Sequence, residues 1–294
     1  MKRLRLFTTL LLAGCSCSGA GPTAGGATPY VRCAMREPPV IDANVGALHL
    51  RTSARTLTIE GASPPLRIAA FRGAALADEP IEPALDAITA AHPTMQIVIG
   101  SLGDDAAHVE TLLRALAGLD TTTIVVMGGR DHARDLDAAM AALPADARAR
   151  IVDASGLRRI VIGGVELVVV AGAPEGRYAR DDDACGVGAA DVDAIATDVG
   201  EGSALRFIVG FAAPSPLRGV EGAEAGSAIV ADLAARVGAH AGVFAWPDVA
   251  STTDVRIAPP LVGPPTPLAD GSRLRSGIAL VELGANGMRS LPTD

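Results

Sequence analysis

Asp131 and His132 stand side by side directly after Gly128-Gly129-Arg130. A carboxylate beside an imidazole supplies a general acid and base, or two ligands for a cation. The same pair also suits a plainer task, with Asp131 capping a helix and His132 as its solvated neighbour. Asp104 and Asp105 pose the same choice: oxygen ligands for a hard cation, or caps for the helix that follows. Arg72 and Arg130 carry guanidinium forks that fit an anion, and with Asp131 they can instead close an ion pair. Ser101 has the type of a nucleophile, but Ile99-Gly100-Ser101-Leu102-Gly103 lacks the Gly-x-Ser-x-Gly spacing of a nucleophile elbow. No P-loop, dinucleotide fingerprint, Cys-x-x-Cys or His-Glu-x-x-His is present.

These residues must be held by regular elements. Extended pieces with a two-residue period span 49–60. Short apolar runs at 66–71, 96–100, 122–127, 206–211 and 241–246 read as buried strands. Helical spacing marks 81–91, 105–118, 136–143, 189–198 and 227–237. Residues 159–162 and 165–170 flank Gly163-Gly164 and predict a β-hairpin. Residues 258–275 are a Pro/Gly-rich loop, and a strand over 277–283 closes the chain with a short hairpin. Buried strands that alternate with amphipathic helices give an α/β layered domain. The first half predicts a parallel sheet and the second half a mixed or second sheet. In such sheets ligands sit at the carboxyl ends of strands. The candidate residues above lie just past those ends, as do Phe211, Trp246 and Asp248.

The chain has 294 residues and a formal charge of −8, which argues against a nucleic-acid partner. Apolar residues make up 49% and aromatics 3%, so the core is built from Ala, Val, Leu and Ile. No apolar run reaches the roughly 18 residues of a membrane-spanning helix. The first residues have their own pattern: Lys2, Arg3 and Arg5, then apolar Leu6 to Ala13, then Leu12-Ala13-Gly14-Cys15. This resembles a bacterial lipoprotein signal, with an ordinary secretory peptide as the alternative. The resemblance implies cleavage before Cys15 and lipid on that residue. The partner it implies is the lipid bilayer, through acylated Cys15. Ser16 after the cysteine favours the outer membrane, facing the periplasm, over the inner one. Residues 1–14 are then the signal peptide, 15–29 a flexible tether and 30–294 one domain. In an oxidising compartment Cys33 and Cys185, both in polar, loop-like settings, are expected to pair, with two buried free thiols as the alternative.

The five loops carry a second resemblance. Their order and position are similar to the calcineurin-like metallophosphoesterase superfamily. That family has D-x-H, G-D-x-x-D, G-N-H-D/E, a lone His and G-H-x-H after successive strands. It implies a four-layer αββα sandwich and two metal ions that activate water against a phosphate ester. The ligand letters are largely replaced. Gly73 and Ala75 take the places of the first Asp and His, and Ser101 that of the metal-bridging Asp. Gly129 and Arg130 replace Asn and His, while Asp131 keeps its acid. Phe211 stands for the lone His, and Trp246 and Asp248 fall within the last motif. The expectation is therefore a pseudoenzyme without cofactor: an envelope lipoprotein that binds an unknown envelope protein or a small anionic ligand, or serves as structure. The alternative is a metal-dependent phosphoesterase with relocated ligands. It would hold one or two divalent ions on Asp104, Asp105, Asp131 and Asp248, with Asp131 and His132 catalytic. Phe211 and Trp246 fill space in the first reading and line a pocket in the second.

Overall fold

A computed structural model describes residues 30–73, 80–174, 179–202, 204–214, 226–239, 241–246, 254–268 and 271–292. After a short 3-10 turn at Cys33–Met35, the strands run in chain order. They are β1 (Asp42–Val45), β2 (Leu48–Ser53), β3 (Thr56–Glu60), β4 (Leu66–Phe71), β5 (Met95–Ile99), β6 (Thr122–Val126), β7 (Ile151–Asp153), β8 (Arg159–Ile162) and β9 (Val165–Val170). Then follow β10 (Ala173–Pro174), β11 (Gly186–Val187), β12 (Leu205–Gly210), β13 (Ala241–Phe244), β14 (Val255–Ile257), β15 (Thr266–Pro267), β16 (Arg273–Leu274), β17 (Ala279–Gly284) and β18 (Gly287–Ser290). The helices are α1 (Glu82–Ala91), α2 (Ala106–Ala117), α3 (Ala133–Ala142), α4 (Ala145–Arg148), α5 (Ala189–Val199) and α6 (Ala228–Val237).

Two sheets stack. One has the order β18-β17-β4-β5-β6-β7, and the other β1-β2-β3-β8-β9-β12-β13-β14. In the first, β4 to β7 run parallel and β17 returns antiparallel beside β4. The second mixes hairpins with the parallel set β9, β12, β13 and β14. Strand alternation builds the layers. On β4, Leu66, Ile68 and Ala70 face the second sheet, where Leu57, Ile160, Leu167 and Val209 meet them. Ala69 and Phe71 face the other way, onto α1, α2 and α3 through Ile88, Leu113 and Leu136. On the far side, Val168 and Ile208 pack under Val192 and Ile195 of α5 and Leu233 of α6. Three apolar interfaces between four layers make an α/β/β/α sandwich.

The helices form where apolar spacing and end chemistry agree. In α2, Val109, Leu112, Leu113 and Leu116 are buried on one face. Its cap is Asp105, whose Oδ1 accepts from the His108 amide at 2.9 Å. α6 starts on Ser227 and ends at Gly238, whose φ of 67° is left-handed.

Several short elements depart from the expectation. β1 was not anticipated, because Asp-Ala-Asn-Val alternates over only four residues; it is an edge strand that buries Val45. β7 and β14 have three residues each, too few for a period to show. The 258–275 segment, expected as plain loop, contains the β15–β16 ladder. It also joins the sheets: the Ala258 amide donates to Phe244 O at 2.7 Å, and the Arg72 amide to Pro259 O at 2.7 Å.

Candidate functional site

The carboxyl ends of β4, β5 and β6 meet those of β9, β12 and β13 across the sandwich. The Gly172 amide, after β9, donates to Met127 O after β6 at 2.8 Å. On the first sheet three glycines form a seam. Gly73 N donates to Gly100 O at 2.9 Å, and Gly100 N to Val126 O at 2.8 Å. A Cβ on Gly100 would lie 3.1 Å from the Gly128 Cα. A Cβ on Gly73 would lie 2.3 Å from the Ser101 carbonyl oxygen, and one on Gly128 2.5 Å from the Phe211 ring. At Gly73 backbone packs on backbone, at Gly128 the Phe211 ring takes the place of a side chain, and Gly100 adopts a left-handed φ of 67° in a tight contact.

Gly73 was expected to stand where the resembled family keeps its first metal carboxylate. The structure points Gly73 at the Ser101 backbone. By alternation it is Arg72 that continues the inward row Leu66, Ile68, Ala70. Putting Asp at position 73 is therefore expected to cost about 2–3 kcal/mol of stability through overpacking. The urea midpoint checks this, and a wild-type midpoint would show that the Ser101 loop yields.

Asp131 is buried at 2% exposure. Its Oδ1 accepts from the Leu102 amide at 2.8 Å and its Oδ2 from the Gly128 amide at 2.7 Å. It thus clasps the loops after β5 and β6 together. It was expected to cap the following helix; the residue at that cap position is His132, without a side-chain cap bond. Burial pushes the Asp131 carboxyl up to about 6, against the pull of the Gly128, Leu102 and Ser101 amides and the nearby Arg130 charge. Ser101 itself sits at φ 56°, a left-handed conformation that a non-glycine residue adopts at a cost.

The expected cluster of Arg72, Arg130 and Asp131 does not close as an ion pair. Arg72 Nη2 donates to Thr266 Oγ1 at 2.8 Å. Arg130 Nη2 lies 3.9 Å from Asp104 Oδ1, which Arg180 also approaches at 3.3 Å. Asp104 is therefore a rim carboxylate between two guanidiniums, not a helix cap. His132 places Nε2 2.9 Å from Asp181 Oδ1 and Nδ1 3.2 Å from Asp135 Oδ2. Desolvation pushes the Asp181 carboxyl up, but the His132 contact, the Asp183 amide and Arg180 outweigh it and hold it below the usual range. Asp181, Asp182 and Asp183 are all exposed, and Asp183 also pairs with Arg134 at 3.0 Å.

The same loop ends at Cys185, which is bonded to Cys33 across 152 residues, with Cα atoms 5.3 Å apart. Both cysteines are fully buried, not in the polar settings expected. On the second sheet Phe211 is buried and its ring centroid lies 5.5 Å from that of Trp246, tilted by 39°. Phe211 belongs to the core between the sheets, and the partly buried Trp246 packs against it. Cys15, Ala75 and Asp248 lie outside the described residues.

The residues at this seam do not fit a pair of metal ions. Asp131 is turned inward onto amides, Asp105 caps α2, Asp104 faces arginines, and Gly129 and Ser101 offer no carboxylate. Among the described residues no group of three or more His, Cys, Asp or Glu converges as a metal site. Cavities of about 370, 460 and 370 Å³ open elsewhere: beside α1 and β17, at Pro64-Pro65 and the β17–β18 turn, and between Pro39–Ala43 and α4.

No known family model matches the sequence, and none of the curated proteins does. Solved structures do. One crystal structure superposes with a TM-score of 0.54 at 13% identity, covering 78% of this chain and 100% of its own. The crystal structure of TT1561 of Thermus thermophilus superposes with a TM-score of 0.50 at 13% identity, with the same coverage. At this identity the likeness is one of fold.

Proposed function

We propose that the chain is a lipid-anchored protein of a bacterial envelope whose phosphoesterase-like domain binds a partner or ligand and does not hydrolyse phosphate esters. Anchoring is supported by the basic start, the apolar stretch and Leu-Ala-Gly-Cys at 12–15. Among the described residues no helix is long and apolar enough to cross a membrane. A lipid on Cys15 would supply the attachment.

The observation that carries the binding reading is the glycine seam. Loops that would present ligands to two cations are packed backbone to backbone, with Phe211 against Gly128 and the one retained acid spent on two amides. A dinuclear centre needs several His and carboxylate groups around each ion.

The test is elemental analysis of the purified protein, together with turnover of a bis-aryl phosphate in added Mn²⁺. The expected result is substoichiometric metal and turnover no higher than in the absence of protein. Stoichiometric metal with turnover that Asp131→Ala abolishes would establish the relocated-ligand phosphoesterase instead.

A further inference from the structure

We infer that Arg72 forms an anion-binding site between the ends of the two sheets, and that it takes a phosphate group, free or as a monoester. The inference deepens the binding reading above by giving the binder a ligand class. It is tested by affinity, so it fails independently of any result on hydrolysis.

Arg72 is fixed through its backbone. Its amide donates to Pro259 O at 2.7 Å, and its carbonyl accepts from the Leu261 amide at 3.0 Å. It stands where β4 meets the segment that joins the sheets, and alternation turns its side chain toward the space between them. There Nη2 reaches a neutral partner, the Thr266 hydroxyl. Nε is buried and has no hydrogen-bond partner among the described residues. No carboxylate among them lies within ion-pair distance of this half-buried guanidinium, whereas the buried Arg158 and Arg206 reach Asp198 at 3.3 Å and Glu166 at 2.8 Å. Desolvation lowers the Arg72 pKa to about 10, which leaves it charged at neutral pH.

A partly desolvated cation without a counter-charge is costly. An oxyanion supplies that charge and a second acceptor. The Nη atoms of the fork carry further N–H donors for it, and the Thr266 hydroxyl, which accepts from Arg72, keeps its own proton to donate. A guanidinium fork with a hydroxyl beside it is the donor set that suits a phosphate group.

Calorimetric titration of the full chain in detergent at constant ionic strength tests this, with inorganic phosphate in one arm and glycerol phosphate in the other. Saturable binding of either is expected. It should weaken about tenfold or more in Arg72→Gln, since a charge-assisted fork is lost, and by a smaller factor in Thr266→Val. It should persist in Arg148→Ala, an exposed arginine on α4. Tighter binding of the monoester would identify an organic phosphate as the ligand, and equal binding would show that the phosphate group alone is recognised. Absence of saturation in both arms to about 20 mM, weaker than any site of this donor set, would overturn the inference. So would unchanged affinity in Arg72→Gln. If that variant does not fold, unchanged affinity in Thr266→Val decides against the site.

Discussion

Replacing Cys33 and Cys185 together by serine is expected to lower the unfolding free energy by about 5 kcal/mol. The bond spans 152 residues, and the chain-entropy account gives about that figure for so long a loop. Folded domains are stable by only about 5–15 kcal/mol, so the variant should sit close to its threshold. The native arm has other attachments. Arg32 pairs with the buried Asp191 at 2.6 Å, Arg158 donates to Ala34 O, and the Val31 amide donates to Ala184 O at 2.9 Å. The arm should therefore remain docked in the folded variant, and the loss should arise in the freer unfolded chain. Urea unfolding of the oxidised protein and the double variant measures this. A difference below about 1 kcal/mol would mean that the unfolded chain already holds its ends together.

Asp131→Ala is expected to cost about 3–5 kcal/mol. It strands the Leu102 and Gly128 amides in a buried place, at about 1–3 kcal/mol each, and leaves a small void. The carboxylate also sets a pH dependence. Its folded pKa of about 6 lies above the ordinary 3.8, so the folded state takes up this proton first as pH falls. The stability that this confers is fully present below about 3.8 and is lost as pH rises through about 6. For one group the full swing is about 3 kcal/mol at most. Comparing urea midpoints of wild type and Asp131→Ala at pH 4 and 7 isolates it. The deficit of the variant should be larger at pH 4. A deficit that grows toward pH 7 would show that amide hydrogen bonding outweighs desolvation at this carboxyl.

The layered architecture was legible because its strands and helices are long enough to show a period. Gln-Ile-Val-Ile-Gly at 96–100 and the Val109, Leu112, Leu113, Leu116 face could scarcely be read otherwise. Sheet membership was not. That β1 to β3 join β8 in the second sheet is decided by long-range pairing, of which local sequence carries no trace. The site was legible as a list of positions and not as contacts. Asp105 as a cap follows from its spacing to α2, whereas Asp131 looks identical in sequence and does something else. Its carboxylate turns because two loops from neighbouring strands present bare amides to it, a fact of tertiary placement. Arg72 was visible as a cation, but its inward direction depends on where β4 ends. Gly73 reads as a missing ligand until the adjoining Ser101 carbonyl shows that nothing larger fits.

The latch between the arm and the loop at Cys185 has a mechanical meaning. A pull applied at the amino end of the described chain reaches Cys33 before it reaches the edge strand β1. The covalent link hands that load to the segment beside Asp181 and His132, and through the Cys185 amide on Asp131 O at 3.1 Å to the middle of the parallel sheet. Strain entering from that end would thus bypass the fragile rim and be borne by the strands least able to peel.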